Sequence, residues 1–115
     1  MTPFISDIIY SMSFRDSQKE VDNWIKQYKI GYFKPLEVMA RLMEEVGELA
    51  RELNHRYGPK KKKKYEDKIE IGDEIADIFF TLICLANSLD IDLDDSFDRM
   101  MKKLNTRDKD RFEKR

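Results

Sequence analysis

Apolar residues recur at helical spacing along most of the chain. Between residues 16 and 29 they follow the i, i+3, i+4, i+7 pattern of an amphipathic helix, at Val21, Trp24, Ile25 and Tyr28. Similar patterns predict helices over residues 36–55 and 65–89, and a fourth helix that Asp94 and Asp95 cap and that ends near residue 104. No segment alternates apolar and polar residues with a period of two, so we predict no strands and an all-α bundle of four to five helices.

Turn residues separate these helices without dividing the chain into domains. Gly31 and Pro35 mark one turn, and a loop follows from Gly58 through the lysines at 60–64. The 115 residues have the size of one domain. We predict that it spans residues 1–115, with an N-terminal extension over 1–15 and a polar tail over 105–115. Because charged residues make up 39% of so short a chain, we expect homodimerisation to complete its core.

Charge and cysteine content exclude several classes of protein. The net charge of −1 gives no overall preference for nucleic acid or for an anionic membrane. The only cysteine, Cys84, cannot form an internal disulfide, which favours a reducing compartment. The N-terminus has no basic leader, and the longest strongly apolar stretch, 78–86, is far shorter than the ~20 residues of a membrane span. We therefore expect a soluble, cytoplasmic protein with no nucleic-acid or membrane partner.

The second predicted helix carries an acidic face opposite its apolar one. At 100° per residue, the glutamates cluster away from the apolar stripe, and they are Glu37, Glu44, Glu45, Glu48 and Glu52. Such a stripe is most often only a solvated helix face.

The third predicted helix makes a binding site the better interpretation. Residues 75–86 are almost all apolar, which indicates a helix buried on every side, yet Glu74 and Asp77 lie at its start, three positions apart. Glu70 and Asp73 repeat this spacing one turn earlier, nearer the exposed helix start. A buried carboxylate needs a compensating cation, either a basic side chain or a metal ion. If the two helices pack antiparallel, Glu45 and Glu48 face Glu74 and Asp77, and so many converging carboxylates favour Mg²⁺.

The acidic residues resemble the EExxE…ExxD signature of the MazG-like nucleotide pyrophosphohydrolases, in the all-α NTP pyrophosphatase superfamily. The matching residues are Glu44-Glu45-Val46-Gly47-Glu48 and Glu74-Ile75-Ala76-Asp77. Other segments resemble the short, single-domain bacterial branch of that family, and they are 31–36, 41–42, 47–52, 54–58, 85–91 and 105–111. The resemblance covers about residues 21–111.

This resemblance implies a helical dimer, or a dimer of dimers, that hydrolyses nucleoside triphosphates to monophosphate and pyrophosphate with Mg²⁺ or Mn²⁺. Glu45, Glu48, Glu74 and Asp77 would be the metal ligands. Glu44 would ligate a second ion or orient and deprotonate the attacking water, together with Glu45. Removal of non-standard nucleotides from the cell is a further expectation from the family alone.

Basic and aromatic residues are candidates for substrate binding, each with a simpler alternative. Lys60 and Lys61 either belong to a solvated loop or attract the triphosphate. The tail is either frayed or, as the resemblance implies, a lid that contacts phosphates through Asn105, Arg107 and Arg111. Trp24 and Phe33 either pack the core or offer an aromatic face to the nucleobase, and Phe33 resembles a base-pocket position of related enzymes. Asn87 is a candidate to read the edge of the base.

Two other functions compete with the hydrolase. A non-catalytic helical dimer that binds a nucleotide or a partner would be indicated by the loss of one of the acids, and all of them are present. A di-iron carboxylate bundle needs Glu-x-x-His pairs on two helices, whereas His55 is the only histidine of the chain.

Overall fold

The computed structural model describes residues 12–62 and 69–115, and it contains four helices. They are α1 (Phe14–Ile25), α2 (Pro35–Tyr57), α3 (Ile71–Ser88) and α4 (Leu93–Thr106). These described ranges contain no strand, which confirms the predicted all-α fold. None of these helices combines the length and the apolar character that a membrane span requires.

The first helix begins earlier and ends earlier than the pattern predicts. Ser13 and Asp16 form a capping box, in which the Ser13 hydroxyl accepts from the Asp16 amide at 3.1 Å and the Asp16 carboxylate accepts from the Ser13 amide at 3.0 Å. Residue 13 therefore caps α1, which begins within the predicted extension over 1–15, and residues 1–11 of that extension lie outside the described residues. After Ile25 the chain tightens into i→i+3 turns and reverses at Gly31, whose φ of 62° is left-handed.

Proline and glycine bound α2. Pro35 stands in the first turn, where its missing amide hydrogen costs no helical hydrogen bond. The amide of Gly58 donates to the Asn54 carbonyl at 2.9 Å and ends the helix. A Cβ atom at position 58 would lie 2.6 Å from that same oxygen, so glycine is required there.

The third and fourth helices start at different residues from those predicted. α3 begins at Ile71, with Glu70 as its N-cap, and residues 65–68 of the predicted helix lie outside the described ranges. Asp92 caps α4, because its carboxylate accepts from the amides of Asp94 and Asp95. The predicted caps, Asp94 and Asp95, instead occupy the first turn of α4.

α2 and α3 form the central pair, and α1 packs against α3 and α4. The Arg56 guanidinium near the end of α2 donates to the Ile69 carbonyl just before α3, and Glu48 lies beside Glu74. The two helices therefore run antiparallel, as the predicted site requires. In the described part of the chain, the buried apolar residues are Val38, Ile83 and Ala86. Large apolar side chains of α2, α3 and α4 remain exposed, among them Met43, Val46, Phe79, Leu82, Phe97 and Met100.

Candidate metal and nucleotide site

Carboxylates from α2 and α3 meet where the two antiparallel helices face each other. Carboxylate oxygens of Glu45, Glu48 and Glu74 all lie within 4.8 Å of one another. Glu45 and Glu48 are three residues apart and therefore point from one side of α2, while Glu74 projects from the first turn of α3. The arrangement gathers three acidic side chains around one point, a ligand set suited to a hard divalent cation.

Two of these carboxylates are buried and incompletely satisfied. Glu45 is 5% exposed and Glu74 is 6% exposed. In each of them the oxygen Oε2 is buried and accepts no hydrogen bond from the described residues. Buried polar atoms are normally paired, because an unpaired one loses its hydration without compensation. The two unpaired oxygens therefore fit a cation placed between the helices.

The pKa of Glu74 reflects the same concentration of negative charge. Burial is the largest cause that raises the pKa of this carboxyl above its ordinary value. Neighbouring carboxylates raise it further, in the order Glu48, Asp77, Glu45 and Glu52. A bound cation would reverse both effects, since it would compensate the lost hydration and the repulsion between like charges.

Asp77 and Glu44, the other predicted acids of the site, are exposed. Asp77 lies one turn after Glu74 on α3, close enough for its charge to act on Glu74, and it lines a cleft together with Glu45. Glu44 precedes Glu45 on α2 and faces solvent. The structure thus brings Glu45, Glu48 and Glu74 together and places Asp77 at the border of the group.

Basic side chains accompany two buried glutamates of α2. Arg41 Nε donates to Glu45 Oε1 at 2.9 Å, which leaves Oε2 of Glu45 as the unpaired atom. Glu52 is 5% exposed, and its Oε1 accepts from Lys62 Nζ at 2.9 Å. That hydrogen bond is the main reason why the pKa of Glu52 is lowered. Sequence reasoning placed Glu52 on the solvated acidic face and missed its burial, although it follows Glu48 by four residues on one side of the helix.

An aromatic cleft of about 600 Å³ opens beside the carboxylates. Glu45 and Asp77 form part of its wall, and its aromatic lining consists of Trp24, Tyr28, Tyr32, Phe33 and Phe80. The ring of Trp24 meets that of Phe80 edge to face, with centroids 5.9 Å apart. Both predicted base-binding residues, Trp24 and Phe33, are half exposed in this cleft. A flat aromatic ligand would therefore reach a stacking surface and the acidic cluster at once.

Asn87 supports the wall of the cleft by holding Tyr32. Its amide nitrogen donates to the Tyr32 hydroxyl at 2.9 Å, and that hydroxyl donates to Asp22 Oδ1 at 2.6 Å. Burial, followed by the hydrogen bond to Asp22, raises the pKa of Tyr32 to about 12. The side-chain amide of Asn87 also exchanges hydrogen bonds with Gln18. These bonds occupy the groups that would read the edge of a base.

Comparison with known proteins assigns the family. A model of the MazG nucleotide pyrophosphohydrolase domain matches residues 33–112. This chain belongs to the MazG nucleotide pyrophosphohydrolase family. It is 60% identical over 100 residues to the uncharacterized protein YpjD of Bacillus subtilis (strain 168), a match that covers 87% of this chain and 90% of YpjD.

Two crystal structures resemble this chain. That of YpjD from Bacillus subtilis is 53% identical with a TM-score of 0.74, and the match covers 92% of this chain and all of that one. That of the Bacillus-conserved MazG protein, a nucleotide pyrophosphohydrolase, is 52% identical with a TM-score of 0.70. The match covers 85% of this chain and 95% of that one. These results confirm the predicted family and support a nucleotide pyrophosphohydrolase activity in general, in a family that generally depends on a metal.

In this MazG domain, Lys60 and Lys61 line a second cleft of about 550 Å³ at the end of α2. Asn54 and His55 form part of its wall. The next lysine, Lys62, turns away from this cleft to the buried Glu52, and residues 63–64 of the lysine run lie outside the described residues.

The predicted phosphate-binding tail begins inside α4, because Asn105 belongs to the last turn of this helix and Arg107 is its C-cap. Asn105, Arg107 and Arg111 are exposed. Arg107 forms two hydrogen bonds with Asp108, both 3.1 Å long, and the Arg111 guanidinium lies 5.7 Å from the ring centre of Phe112. Each of these contacts joins two residues that are adjacent in the chain.

Proposed function

We propose that this MazG-family chain hydrolyses nucleoside triphosphates, either ribo- or deoxyribonucleotides, to the monophosphate and pyrophosphate. The observation that carries the proposal is the pair of buried, unpaired carboxylate oxygens of Glu45 and Glu74, next to an aromatic cleft whose wall includes Glu45. The cleft suits a nucleobase, and the carboxylates suit the cation that accompanies a triphosphate.

Glu45, Glu48, Glu74 and Asp77 are the residues that would hold Mg²⁺ or Mn²⁺. Bound there, the cation supplies positive charge for the phosphates and acidity for a water nucleophile. Glu44 faces solvent one residue before Glu45. Its carboxylate would orient the attacking water and accept its proton, or would ligate a second ion.

Substrate contacts are proposed at three places. Phe33 and Trp24 would stack on the base, because half of each side chain is open to the cleft. Lys60 and Lys61 would approach the phosphates from the end of α2. The tail residues Asn105, Arg107 and Arg111 are exposed and would have to close over the substrate to contribute.

We also propose that the protein acts as a homodimer or a dimer of dimers. In the described residues, α3 exposes 49% of Phe79 and 39% of Leu82, two large apolar side chains of a stretch that is almost all apolar. Exposed apolar faces on α2 and α4 extend this surface. A second copy is the simplest cover for it. We propose that the catalytic unit includes α1, since this helix precedes the matched range 33–112 and still provides Trp24 to the cleft.

The direct experiment is product analysis on a panel of standard and modified NTPs and dNTPs, with Mg²⁺, with Mn²⁺ and with EDTA. Equal amounts of monophosphate and pyrophosphate, formed only with metal, would support the proposal. Release of nucleoside diphosphate and orthophosphate would show that a different phosphoanhydride bond is cleaved. Folded protein that binds a nucleotide and releases no pyrophosphate would instead favour a non-catalytic binding dimer.

A further inference from the structure

Arg41 lies on α2 between the aromatic part of the cleft and the carboxylate cluster. Phe33 stands just before the helix, Arg41 follows in its second turn, and both line the same cleft. Glu45 and Glu48 come four and seven residues after Arg41, so the three charged side chains share one side of α2. A rise of 1.5 Å per residue places Arg41 about 6 Å before Glu45 along the helix axis. A nucleotide with its base at Phe33 and its phosphates at the carboxylates would therefore pass Arg41.

The charge of the cleft gives Arg41 a particular role. Among the described residues that line the cleft, Arg41 is the only basic one, and the acidic ones are Glu45 and Asp77. A phosphate that enters from the aromatic side is repelled by the two carboxylates and attracted by the guanidinium. The planar fork of a guanidinium also matches the geometry of phosphate oxygens. Arg41 is thus the side chain of the cleft wall that suits a phosphate.

The guanidinium of Arg41 has hydrogen-bond donors to spare. Its Nε donates to Glu45 Oε1 at 2.9 Å, and in the described part of the chain neither terminal nitrogen donates to an acceptor. The terminal nitrogens carry four of the five N–H donors of an arginine. The Arg41 side chain is 61% exposed, so these donors are open to a ligand. An ion pair with so exposed a partner adds little to stability, so the fold alone does not account for Arg41.

We propose that Arg41 is a substrate-binding residue, whose terminal nitrogens donate to the phosphate next to the nucleoside while Nε holds Glu45. Oε1 of Glu45 is occupied by Arg41, and Oε2 is the buried, unpaired oxygen that suits a cation. One side chain thus connects the recognition of a phosphate to the orientation of a proposed metal ligand, and it selects nucleotides over nucleosides. This inference rests on the proposed function, which supplies the nucleotide and the cation.

The first test compares nucleoside monophosphates with their own nucleosides in the presence of Mg²⁺, for the common ribo- and deoxyribonucleosides. Trp24 is the only tryptophan of the chain and lines the cleft, so its fluorescence reports binding. The wild type should bind the preferred monophosphate about tenfold or more tightly than the nucleoside, as expected for hydrogen bonds to a charged group. Arg41→Gln should lose this preference, while its affinity for the nucleoside should stay within a factor of about two.

Two further variants control this comparison. Arg41→Lys keeps the charge, but a single ammonium group lacks the fork that serves Glu45 and a phosphate together, so its preference should be intermediate. Arg99→Gln makes the same substitution at an exposed position of α4, where the guanidinium donates only to Ser96 among the described residues. It should bind both ligands like the wild type.

A second readout uses Mn²⁺ alone, measured by titration calorimetry. If Arg41 served only to orient Glu45, Arg41→Gln would weaken Mn²⁺ binding about 10–100-fold, as loss of an outer contact to a metal ligand does. We expect Arg41→Gln to bind Mn²⁺ about as tightly as the wild type. The glutamine amide can still donate to Glu45 four residues later, and a repelling positive charge is removed.

The outcomes separate this inference from the proposed function. A wild-type protein that releases pyrophosphate, with Arg41→Gln still preferring the monophosphate, would overturn the role of Arg41 alone. Equal losses for the monophosphate and the nucleoside would show a disturbed cleft and would also overturn it, as would a tenfold or larger fall in Mn²⁺ affinity with the preference unchanged. A folded wild type that neither releases pyrophosphate nor binds any nucleotide would overturn both proposals. Loss of the preference with Mn²⁺ binding and helical circular dichroism retained is the expected result.

Discussion

Burial distinguishes the carboxylates of the site from one another. Glu45 and Glu74 are almost fully enclosed between α2 and α3, whereas Glu48 and Asp77 are exposed. A buried carboxylate loses its hydration, and each of these two retains one oxygen that no described donor compensates. These two carboxylates therefore depend most on a bound cation. The ionisation of Glu74 is the property through which this dependence can be measured.

The stability of the metal-free protein should fall as the pH rises through the pKa of Glu74. This pKa is raised above the ordinary 4.5, so the folded state holds the proton more tightly than the unfolded state. Stability from this group is then fully present below 4.5 and is lost as the carboxyl ionises at its higher, folded-state pKa. The measurement is the melting temperature against pH in EDTA, for the wild type and for Glu74→Gln.

The difference between the melting curves of the wild type and of Glu74→Gln isolates Glu74, because the pKa shifts of several other acids have the opposite sign. The pKa values of Glu52, Asp22 and Asp92 are lowered, so the stability that they contribute is lost on acidification instead. Glu74→Gln should lack the decline at higher pH, and Mn²⁺ should abolish it in the wild type. Parallel curves for the two proteins would contradict the assignment.

Phe33 should contribute to nucleotide binding through its ring. Phe33→Ala and Phe33→Leu should raise KM about tenfold, in keeping with the ~1–3 kcal/mol that stacking of a base on an aromatic side chain provides. Phe33→Tyr keeps the ring and serves as the control. The check is steady-state kinetics with the best nucleotide of the panel, and an unaltered KM in the alanine and leucine variants would exclude Phe33 from the base site.

At the scale of the helices, Asp94 joins the start of α4 to the start of α1. Its two carboxylate oxygens accept from the amides of Phe14 and Arg15, each at 3.1 Å, and so cap α1 from a distant part of the chain. Asp94→Ala should lower the free energy of unfolding by about 1–2 kcal/mol, as loss of a helix cap does.

Urea denaturation measures this effect, with Asp95→Ala as the control. Asp95 is 63% exposed and lies 3.7 Å from the Arg15 guanidinium, so its removal should cost less than about 0.5 kcal/mol. Turnover should be retained in both variants, because the acids of the site stand on α2 and α3. Equal stability of the two variants would show that Asp94 does not cap α1.

Helical periodicity was sufficient to predict the four helices and the absence of strands from the described ranges. Their ends depended on individual side chains instead. Ser13 starts α1 because its hydroxyl and the Asp16 carboxylate satisfy each other, and Asp92 starts α4 through its own side chain. The pattern of apolar residues contains no information on such reciprocal bonds, so the predicted boundaries moved by several residues.

The acidic motifs identified the centre of the site, but not what surrounds it. The spacing of Glu45, Glu48 and Glu74 follows from helix geometry, and the structure brings these three together. The pairing of Glu52 with Lys62 joins residues ten apart across a loop, so no helical rule predicts it. Asn87 likewise bonds to Tyr32, 55 residues earlier in the chain. Contacts of this kind depend on the packed arrangement of the helices.

At the scale of the whole molecule, the exposed apolar faces predict self-association. Phe79→Glu or Leu82→Glu places a charge on the apolar surface of α3 and should shift the protein to monomers in sedimentation equilibrium. The control is Gln27→Glu, which adds the same charge at an exposed position just after the end of α1. It should leave the assembly intact. A wild-type protein that is monomeric at micromolar concentration would contradict the proposed homodimer.

The central claim is that carboxylates of α2 and α3 hold the metal that hydrolysis requires. The most direct test is the rate of pyrophosphate release by Glu48→Gln and by Asp77→Asn, at saturating nucleotide and Mg²⁺. Loss of an outer contact to a metal ligand costs about 10–100-fold, so loss of a ligand itself should reduce turnover at least about 100-fold. The helical circular dichroism of both variants should equal that of the wild type. Turnover near the wild-type rate in either folded variant would contradict this metal site.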